Sequence, residues 1–471
     1  MTATVLSPPT REASPRAVPV WVAIAAASLP MFMATLDNLV LTSALPVIDA
    51  DLHASVTELS WFMNAFTLTF ASLMLTAASL GDRLGRRRVM TAGIALFTLA
   101  SIASALATTP TALIAARAIQ GVGAAAIMPL SLTLLASAVP ERLRPVAIGI
   151  WSGISGLGVA LGPVIGGAVV EGISWQAIFW LNVPVAIVAI PLLRFAIRES
   201  TAGRRPRLDL VGTLLLGGAV FLGIWGIVHG NDNGWTAPSV LAPLVGAGLL
   251  VPGYLVWARR RADAVLPLRL FASRSFSAAN AIGLLFTLGM FGAVFLLAQY
   301  LQVVMGYSPL EAGVRTLPWT AAPMVFAPLA GVLARRVGVR PLLLVGLAAQ
   351  TAALAWFAAL TESHAGYSSF VVPLLLAGAG MGFTFAPSAT AVLDGLPDSD
   401  FAVASSANST LREFGVAIGI AVLAAVFLAN GGTLTPTGYD GAIGPALLTG
   451  AAALGAATVA ALFIPGRRSA G

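Results

Sequence analysis

Residues 149–167 read GIWSGISGLGVALGPVIGG and carry no charge. Gly158, Gly162 and Gly166 recur at four-residue steps, so in a helix they lie on one face. A face without side chains lets another helix pack backbone to backbone. Pro163 is expected to bend the helix. The stretch predicts a bent, apolar helix that packs closely on a neighbour.

The whole chain is as apolar as this stretch. Of its 471 residues, 58% are hydrophobic and 10% are charged, whereas an ordinary soluble domain carries about 25% charged residues. One membrane span needs roughly 20 apolar residues. The sequence predicts an all-α integral membrane protein with fourteen apolar segments, at about 20–46, 58–80, 88–107, 111–138, 145–170, 176–196, 209–229, 237–258, 277–302, 312–334, 341–360, 369–392, 402–428 and 443–464.

The arginines divide the links between segments into two sets. If both termini are cytoplasmic, the cytoplasmic links hold nearly all the basic residues and the external links hold mostly Asp and Glu. This is the asymmetry expected of a multi-pass protein. It explains the net charge of +7 without nucleic acid. Abundant Arg, Ala and Gly without Lys suggests a GC-rich bacterial genome, so we expect the bacterial plasma membrane.

Two missing residue types exclude several activities. There is no Lys, and both a Walker A phosphate loop and a Schiff base require one. There is no Cys, which removes thiolate ligands and a Cys nucleophile. The three histidines fall in predicted external links. We therefore expect no enzyme, no metal site and no cofactor, with the proton motive force as the energy source.

The predicted organisation has five parts and a weak internal repeat. Residues 78–87 align with residues 331–340, each after the second span of a six-span half. Such repeats are common in transporters, whose substrate sites lie near the midplane between them. The predicted parts are a cytoplasmic tail (1–19), an N-terminal six-helix bundle (20–196), a linker with two additional helices (197–275), a C-terminal six-helix bundle (276–465) and a second cytoplasmic tail (466–471).

Four motifs resemble one transporter family. They are LDNLVLTSALP at 36–46, GDRLGRRR at 81–88, RAIQGVG at 117–123, and the glycine pattern from Gly149 through Gly158, Gly162-Pro163 and Gly166-Gly167. Together they resemble the major facilitator superfamily, and within it the drug:proton antiporter family with fourteen spans. The family's first loop glycine falls here on Ala78, a small departure.

The resemblance implies roles for these residues. It makes the glycine pattern the antiporter motif that marks exporters, and it assigns Arg117 to proton transfer with Asp37. It also implies a charge cluster that locks a cytoplasmic gate between the halves, formed by Asp82, Arg83, Gly85, Arg86 and Arg87.

Asp37 is also a candidate on physical grounds. A carboxylate inside an apolar helix costs about 2.5–3.5 kcal/mol, which makes it a functional candidate by default. Burial disfavours its ionised form and an approaching Arg117 favours it. Plainer alternatives remain: Asp37 solvated near the external end, Arg117 paired with a backbone carbonyl, and the loop arginines as an ordinary positive-inside signal. Arg412 and Glu413 are interpreted as a structural pair near the cytoplasmic end of the thirteenth span.

The predicted function is a proton-coupled antiporter that exports small lipophilic compounds by alternating access. Its partners are protons, membrane lipid and a neutral or monocationic substrate, and we expect a monomer. A proton-coupled importer, a lipid flippase and the membrane subunit of an ATP-driven exporter remain alternatives. The candidate residues for an apolar, aromatic cavity are Asn38, Trp61, Phe66, Gln120, Phe291 and Phe295.

Overall fold

The computed structural model describes residues 19–201, 209–261, 264–363, 365–397, 400–439 and 441–466. This part of the chain is helical and contains no β-strand. The predicted tails lie outside the described residues, except for Pro19 and Gly466.

The first six apolar segments form the first helical bundle. Ser55 and Glu58 form a capping box at the start of one helix, and Thr109 caps another. These caps satisfy backbone N–H groups that a helix leaves unpaired. The helices are α1 (Val20–Leu52), α2 (Val56–Leu84), α3 (Arg86–Ala105), α4 (Pro110–Ala138), α5 (Arg144–Gly172), α6 (Ala177–Trp180) and α7 (Asn182–Ala196), with a 3₁₀ turn at Glu141–Leu143.

Two further helices follow, α8 (Leu210–Asn233) and α9 (Pro238–Arg259). Helix α8 packs on α2 and α9 packs on α8. The carboxylate of Asp209 joins the ends of this pair, since it accepts the N–H of Gly212 at 2.8 Å, the indole N–H of Trp257 at 2.8 Å and the N–H of Val265 at 3.0 Å. A second 3₁₀ turn, Leu268–Ala272, then leads into the second bundle.

The second bundle contains one segment that is broken twice. Pro318 and Pro323 stand in the first turns of successive short helices, where the missing N–H of proline is tolerated. The helices are α10 (Arg274–Val303), α11 (Pro309–Arg315), α12 (Leu317–Thr320), α13 (Ala322–Val337), α14 (Val339–Glu362), α15 (Tyr367–Leu393), α16 (Phe401–Ala429), α17 (Pro436–Tyr439) and α18 (Ile443–Ala461).

The number of membrane crossings was predicted as fourteen. Among the described residues, twelve helical segments are long and apolar enough to cross, and a thirteenth is added if the bent pair Val56–Met74 and Thr76–Leu84 is one span. The apolar helix Gly156–Gly172 is shorter. By length and composition the count is therefore twelve or thirteen, and fourteen is not confirmed.

The two bundles touch closely at one end of α5. A Cβ placed on Gly167 would lie 2.2 Å from the carbonyl oxygen of Pro309, and one on Gly313 would lie 2.2 Å from that of Pro163. At the opposite end of α5, a Cβ on Gly153 or Gly156 would meet no described atom within 4 Å. Helix α5 therefore closes against α11 at the end that the arginine asymmetry predicts to be external.

Candidate functional site

Asp37 lies in the middle of the first bundle and is 4% exposed. Its Oδ2 accepts a hydrogen bond from Nη1 of Arg117 at 2.5 Å. Its Oδ1 accepts from the amide nitrogens of Gln120 at 2.8 Å and Asn182 at 2.7 Å. Helices α1, α4 and α7 thus meet at one carboxylate.

Arg117 is fully enclosed, with no exposed surface. Its Nε donates to the carbonyl oxygen of Phe62 at 3.1 Å and its Nη1 also donates to Oε1 of Gln120 at 2.8 Å. The guanidinium lies 4.4 Å from the ring centroid of Phe66, a cation–π contact. Its Nη2 is buried without a hydrogen-bond partner among the described residues. Removing one member of such a buried pair costs about 3–5 kcal/mol, because it leaves an uncompensated charge.

Two members of this network were not predicted. Asn182 also donates to Oγ of Ser101 at 2.8 Å, and Ser101 donates to the carbonyl oxygen of Phe179 at 2.8 Å. A polar residue inside an apolar span is itself a functional signal, and that signal was available for Asn182.

The network constrains how Asp37 can take a proton. Both carboxylate oxygens face N–H donors, and a protonated oxygen would face them with a donor of its own. A carboxylate, which only accepts hydrogen bonds, matches the donors that face it. This arrangement connects one charged side chain to three helices.

The GDRLGRRR motif at 81–88 forms a second charged cluster. Asp82 accepts a hydrogen bond from Nε of Arg86 at 2.7 Å. Gly85 has φ +113°, a conformation that favours glycine. A Cβ there would also lie 2.7 Å from the carboxyl carbon of Glu199. That carboxylate accepts the N–H groups of Arg87 at 3.0 Å and Arg88 at 3.1 Å, and so caps the start of α3.

The resemblance implies that this cluster locks a gate between the halves, and that stays a prediction; the contacts described for it lie within the first bundle. The guanidinium of Arg87 donates to the carbonyl oxygens of Arg194 at 3.2 Å and Ile197 at 3.0 Å. Arg83 is exposed. The hydrogen bonds described for the motif therefore tie α2 and α3 to the end of α7, all within the first bundle.

The glycine motif packs on two partners. A Cβ on Gly158 would meet Phe32 and Thr35 at 3.4 Å, one on Gly162 would meet Leu39 at 2.6 Å, and one on Gly166 would meet the carbonyl oxygen of Val40 at 2.6 Å. This glycine face therefore lies against α1, as the four-residue spacing predicts. Gly167 faces the second bundle instead. Gly149 lies in the same helix, but its environment is outside what the structure describes.

A narrow cavity lies between the bundles beside this motif. It holds about 30 Å³, room for two or three water molecules. None of its described lining residues is charged, and Asp37 is not among them. The described lining residues are Leu39, Thr42, Ser43, Val159, Pro163, Met290, Phe291, Val294, Leu297, Ala298, Gln302, Ala312, Gly313, Thr316, Trp319, Thr320 and Met381.

Of the six predicted cavity residues, only Phe291 lines this cavity. Trp61 packs against Phe221 and Trp225 of α8, with ring centroids 5.9 and 5.8 Å apart. Phe66 and Gln120 contact Arg117. Phe295 is buried in the core, and Asn38 has a buried Oδ1 without a partner among the described residues. Helices that are apolar on every side give no sequence signal for which face points inward.

The position of Arg412 and Glu413 corrects a prediction. They were placed near the cytoplasmic end of their span, but they lie eleven and twelve residues into α16, about 17 Å from its start at 1.5 Å per residue. The guanidinium of Arg412 lies 4.4 Å from the ring centroid of Phe385. Glu413 is thus a second carboxylate inside a span.

Comparison with known proteins identifies relatives across almost the whole chain. The model of the Major Facilitator Superfamily matches residues 27–420. A tetracenomycin C resistance and export protein of Streptomyces glaucescens is 32% identical, over 95% of this chain and 85% of that protein. The multidrug resistance protein Stp of Mycobacterium tuberculosis H37Rv is 34% identical, over 86% and 75%. The cephamycin export protein CmcT of Amycolatopsis lactamdurans is 35% identical, over 84% and 82%.

Solved transporter structures share the fold at low sequence identity. A bacterial homologue of the human lysosomal transporter Spinster superposes with a TM-score of 0.70 at 15% identity, over 93% of this chain and 95% of that one. The xylose transporter XylE of E. coli superposes with a TM-score of 0.61 at 13% identity, over 93% and 96%.

Proposed function

The chain belongs to the Major Facilitator Superfamily, and we propose that it is a proton-coupled antiporter of fourteen spans that exports small lipophilic molecules by alternating access. It is a multi-pass membrane protein, and its relatives indicate a transporter rather than an enzyme. Several relatives carry names of antibiotic resistance, multidrug resistance or export, which supports the outward direction. The proposal places it in a bacterial plasma membrane as a monomer, with both termini cytoplasmic.

The observation that carries the proposal is the enclosed pair of Asp37 and Arg117. A buried carboxylate that three helices hold by N–H donors changes its contacts when its protonation state changes. Protonation of Asp37 from the outside weakens its hydrogen bonds to α4 and α7. Release of the proton to the inside restores them. The proton gradient thereby biases which arrangement of the bundles is populated.

The apolar cavity supports a neutral substrate over a charged one. A cation there would lie beside no described charged group, in a region of low dielectric where an unpaired charge is costly. Exchange of one proton for one neutral molecule moves one charge. The membrane potential then contributes about 2.3 kcal/mol per 100 mV in addition to the pH gradient.

The test is uphill transport of a lipophilic dye by purified protein in proteoliposomes, driven by a pH gradient without ATP. We expect Asp37→Asn to abolish uphill transport, since the amide cannot bind and release a proton. Dye counterflow at equal pH on both sides should persist and shows that the variant is folded. Undiminished uphill transport by this variant would refute Asp37 as the coupling site.

Glu413→Gln is the matched control, because it neutralises the other carboxylate found inside a described span. The proposal expects uphill transport to continue in this variant. If only Glu413→Gln lost uphill transport, the coupling site would lie in the second bundle instead of at Asp37. A requirement for ATP in the wild-type protein would replace antiport with an ATP-driven mechanism.

A further inference from the structure

Helix α9 turns most of its surface away from the rest of the protein. Of its 22 residues only Val240, Tyr254 and Ala258 are buried. Large apolar side chains are exposed along it, among them Leu249 at 68% and Leu255 at 39%. An apolar surface of this kind is suited to contact with a membrane. Helix α9 therefore lies at the periphery of the protein, with the acyl chains of lipids beside it.

Three consecutive arginines follow one another at the end of this helix. Arg259, Arg260 and Arg261 are all exposed, and we call them the α9 arginine cluster. None of the three forms an ion pair with a carboxylate of the described residues. The guanidinium of Arg261 lies 4.7 Å from the ring centroid of Trp257, a cation–π contact that does not neutralise its charge.

The surrounding sequence does not balance this charge. The two segments at this end of the α8–α9 pair, 198–209 and 259–274, together hold nine arginines and three acidic residues. Glu199 is occupied by the start of α3, and Asp209 accepts three hydrogen bonds from the α8–α9 pair. The third, Asp263, lies outside the described residues. Positive charge is therefore in excess here and is available to an anion from outside the protein.

The backbone around the cluster is held in place on both sides. Before it, the indole N–H of Trp257 donates to Asp209 at 2.8 Å. After it, the hydroxyl of Tyr254 accepts the N–H of Leu266 at 2.7 Å and donates to the carbonyl oxygen of the same residue at 2.9 Å. The chain that leaves α9 is thus tied back onto the helix. An anion that binds the cluster needs to order only side chains, which lowers the entropic cost of binding.

We propose that the α9 arginine cluster binds the headgroup phosphate of an anionic phospholipid, whose acyl chains lie along the exposed apolar face of α9. A guanidinium can donate two parallel hydrogen bonds to one phosphate, and basic clusters beside a membrane span attract anionic lipids. Arg259 follows Leu255 by four residues, so both lie on one face of the helix and one lipid can contact both. The inference goes beyond the proposed export function and depends only on insertion into a membrane.

The test measures which lipid lies beside the cluster. Because the chain has no Cys, Leu255→Cys can carry a single fluorophore. The labelled protein is placed in phosphatidylcholine nanodiscs that contain a small share of brominated phosphatidylglycerol or brominated phosphatidylcholine, and the quenching by each is measured. Half-maximal quenching is expected at a share of the anionic lipid about fivefold lower than that of the neutral lipid, since one arginine beside an anionic lipid is worth about that factor.

The triple variant Arg259→Gln, Arg260→Gln, Arg261→Gln keeps most of the length of each side chain and removes its charge. The two brominated lipids should quench it equally. Unchanged quenching by brominated phosphatidylcholine shows that position 255 still faces lipid in the variant.

The matched control is a triple variant that removes the same charge elsewhere. It carries Arg142→Gln, Arg144→Gln and Arg194→Gln, three exposed arginines of the first bundle. This variant should retain the preference for phosphatidylglycerol. Inorganic phosphate, added at constant ionic strength, should not remove the preference of the wild-type protein, because the acyl chains hold the lipid beside α9.

Four results overturn the inference. They are equal quenching by the two lipids in the wild-type protein, a preference that survives loss of the α9 arginine cluster, loss of the preference in the control variant, and displacement of the lipid by inorganic phosphate. The last result would assign the cluster to a soluble oxyanion instead of a lipid. The measurement involves no transport, so its failure leaves the proposed export untouched, and a failure of proton-driven export leaves this lipid site standing.

Discussion

The contact between α5 and α11 gives the sharpest prediction, because the same Gly→Ala substitution should shift the balance between the two orientations at one position of α5 and leave it unchanged at another. Gly167→Ala places a methyl group 2.2 Å from the carbonyl oxygen of Pro309 and 2.6 Å from the Cα of Leu310. Both are backbone atoms and cannot rotate away. Gly158→Ala places the same methyl group 3.4 Å from side-chain atoms of Phe32 and Thr35, which is close to ordinary contact.

The magnitude follows from where the clash acts. Overpacking of this kind costs about 1–3 kcal/mol. The added methyl group clashes with α11 only while this end of α5 is closed against the second bundle. The clash disappears when the bundles separate there. The whole cost therefore shifts the balance between the two orientations, by roughly 5- to 150-fold toward the state that is open at this end. Gly158→Ala faces α1 within its own bundle and should leave the balance unchanged.

The assay uses the absence of Cys from the chain. A single Cys replaces Val294 in the cavity wall, and its reaction with a membrane-impermeant maleimide is measured from each side of the membrane. Gly167→Ala should accelerate labelling from the external side and slow it from the cytoplasmic side. Equal labelling of the Gly167→Ala and Gly158→Ala proteins, both correctly inserted, would refute this account of the interface.

Three further outcomes are expected. Single-Cys variants of the predicted links should label from outside at Ser363 and only from inside at Ser469, and the reverse labelling would overturn the threading. Asp82→Asn removes a partly exposed pair worth at most about 1 kcal/mol, so melting should change little; transport should fall strongly, and normal transport would make this charge dispensable. Arg269 holds the pKa of Asp400 below its ordinary value through a hydrogen bond. The pair therefore contributes stability above about pH 4, the ordinary Asp range, and loses it as pH falls. The difference in melting temperature between wild type and Asp400→Asn should vanish in acid, and a difference that persists there would contradict the pairing.

The sequence predicted most of the helices, but it did not predict which face of each helix points toward the cavity between the bundles. An apolar run of the right length predicts a span from composition alone, and each predicted segment corresponds to a helix or a broken helix. Asp37, Arg117 and Gln120 meet as a group because polar atoms in an apolar bundle must find one another. Trp61 packs on α8, a contact between helices more than 150 positions apart that its own helix does not reveal.

Most of the contacts that the sequence did not predict join residues that are far apart in the chain. Glu199 reaches residues more than 100 positions earlier, and no local pattern records that contact. The depth of Arg412 was misjudged because an arginine in a membrane protein is most often found at a span end. Its guanidinium lies instead 4.4 Å from the ring centroid of Phe385 on another helix.

The cap that Glu199 forms on α3 has a consequence for synthesis. Every hydrogen bond described above for that cap, and for the Asp37 network, is made by residues up to Glu199. The ribosome has by then made less than half of the chain. N-terminal units generally fold first during synthesis. The first bundle can therefore form the Asp37–Arg117 pair and the Glu199 cap before α10 has been synthesised. The second bundle then assembles against a finished partner.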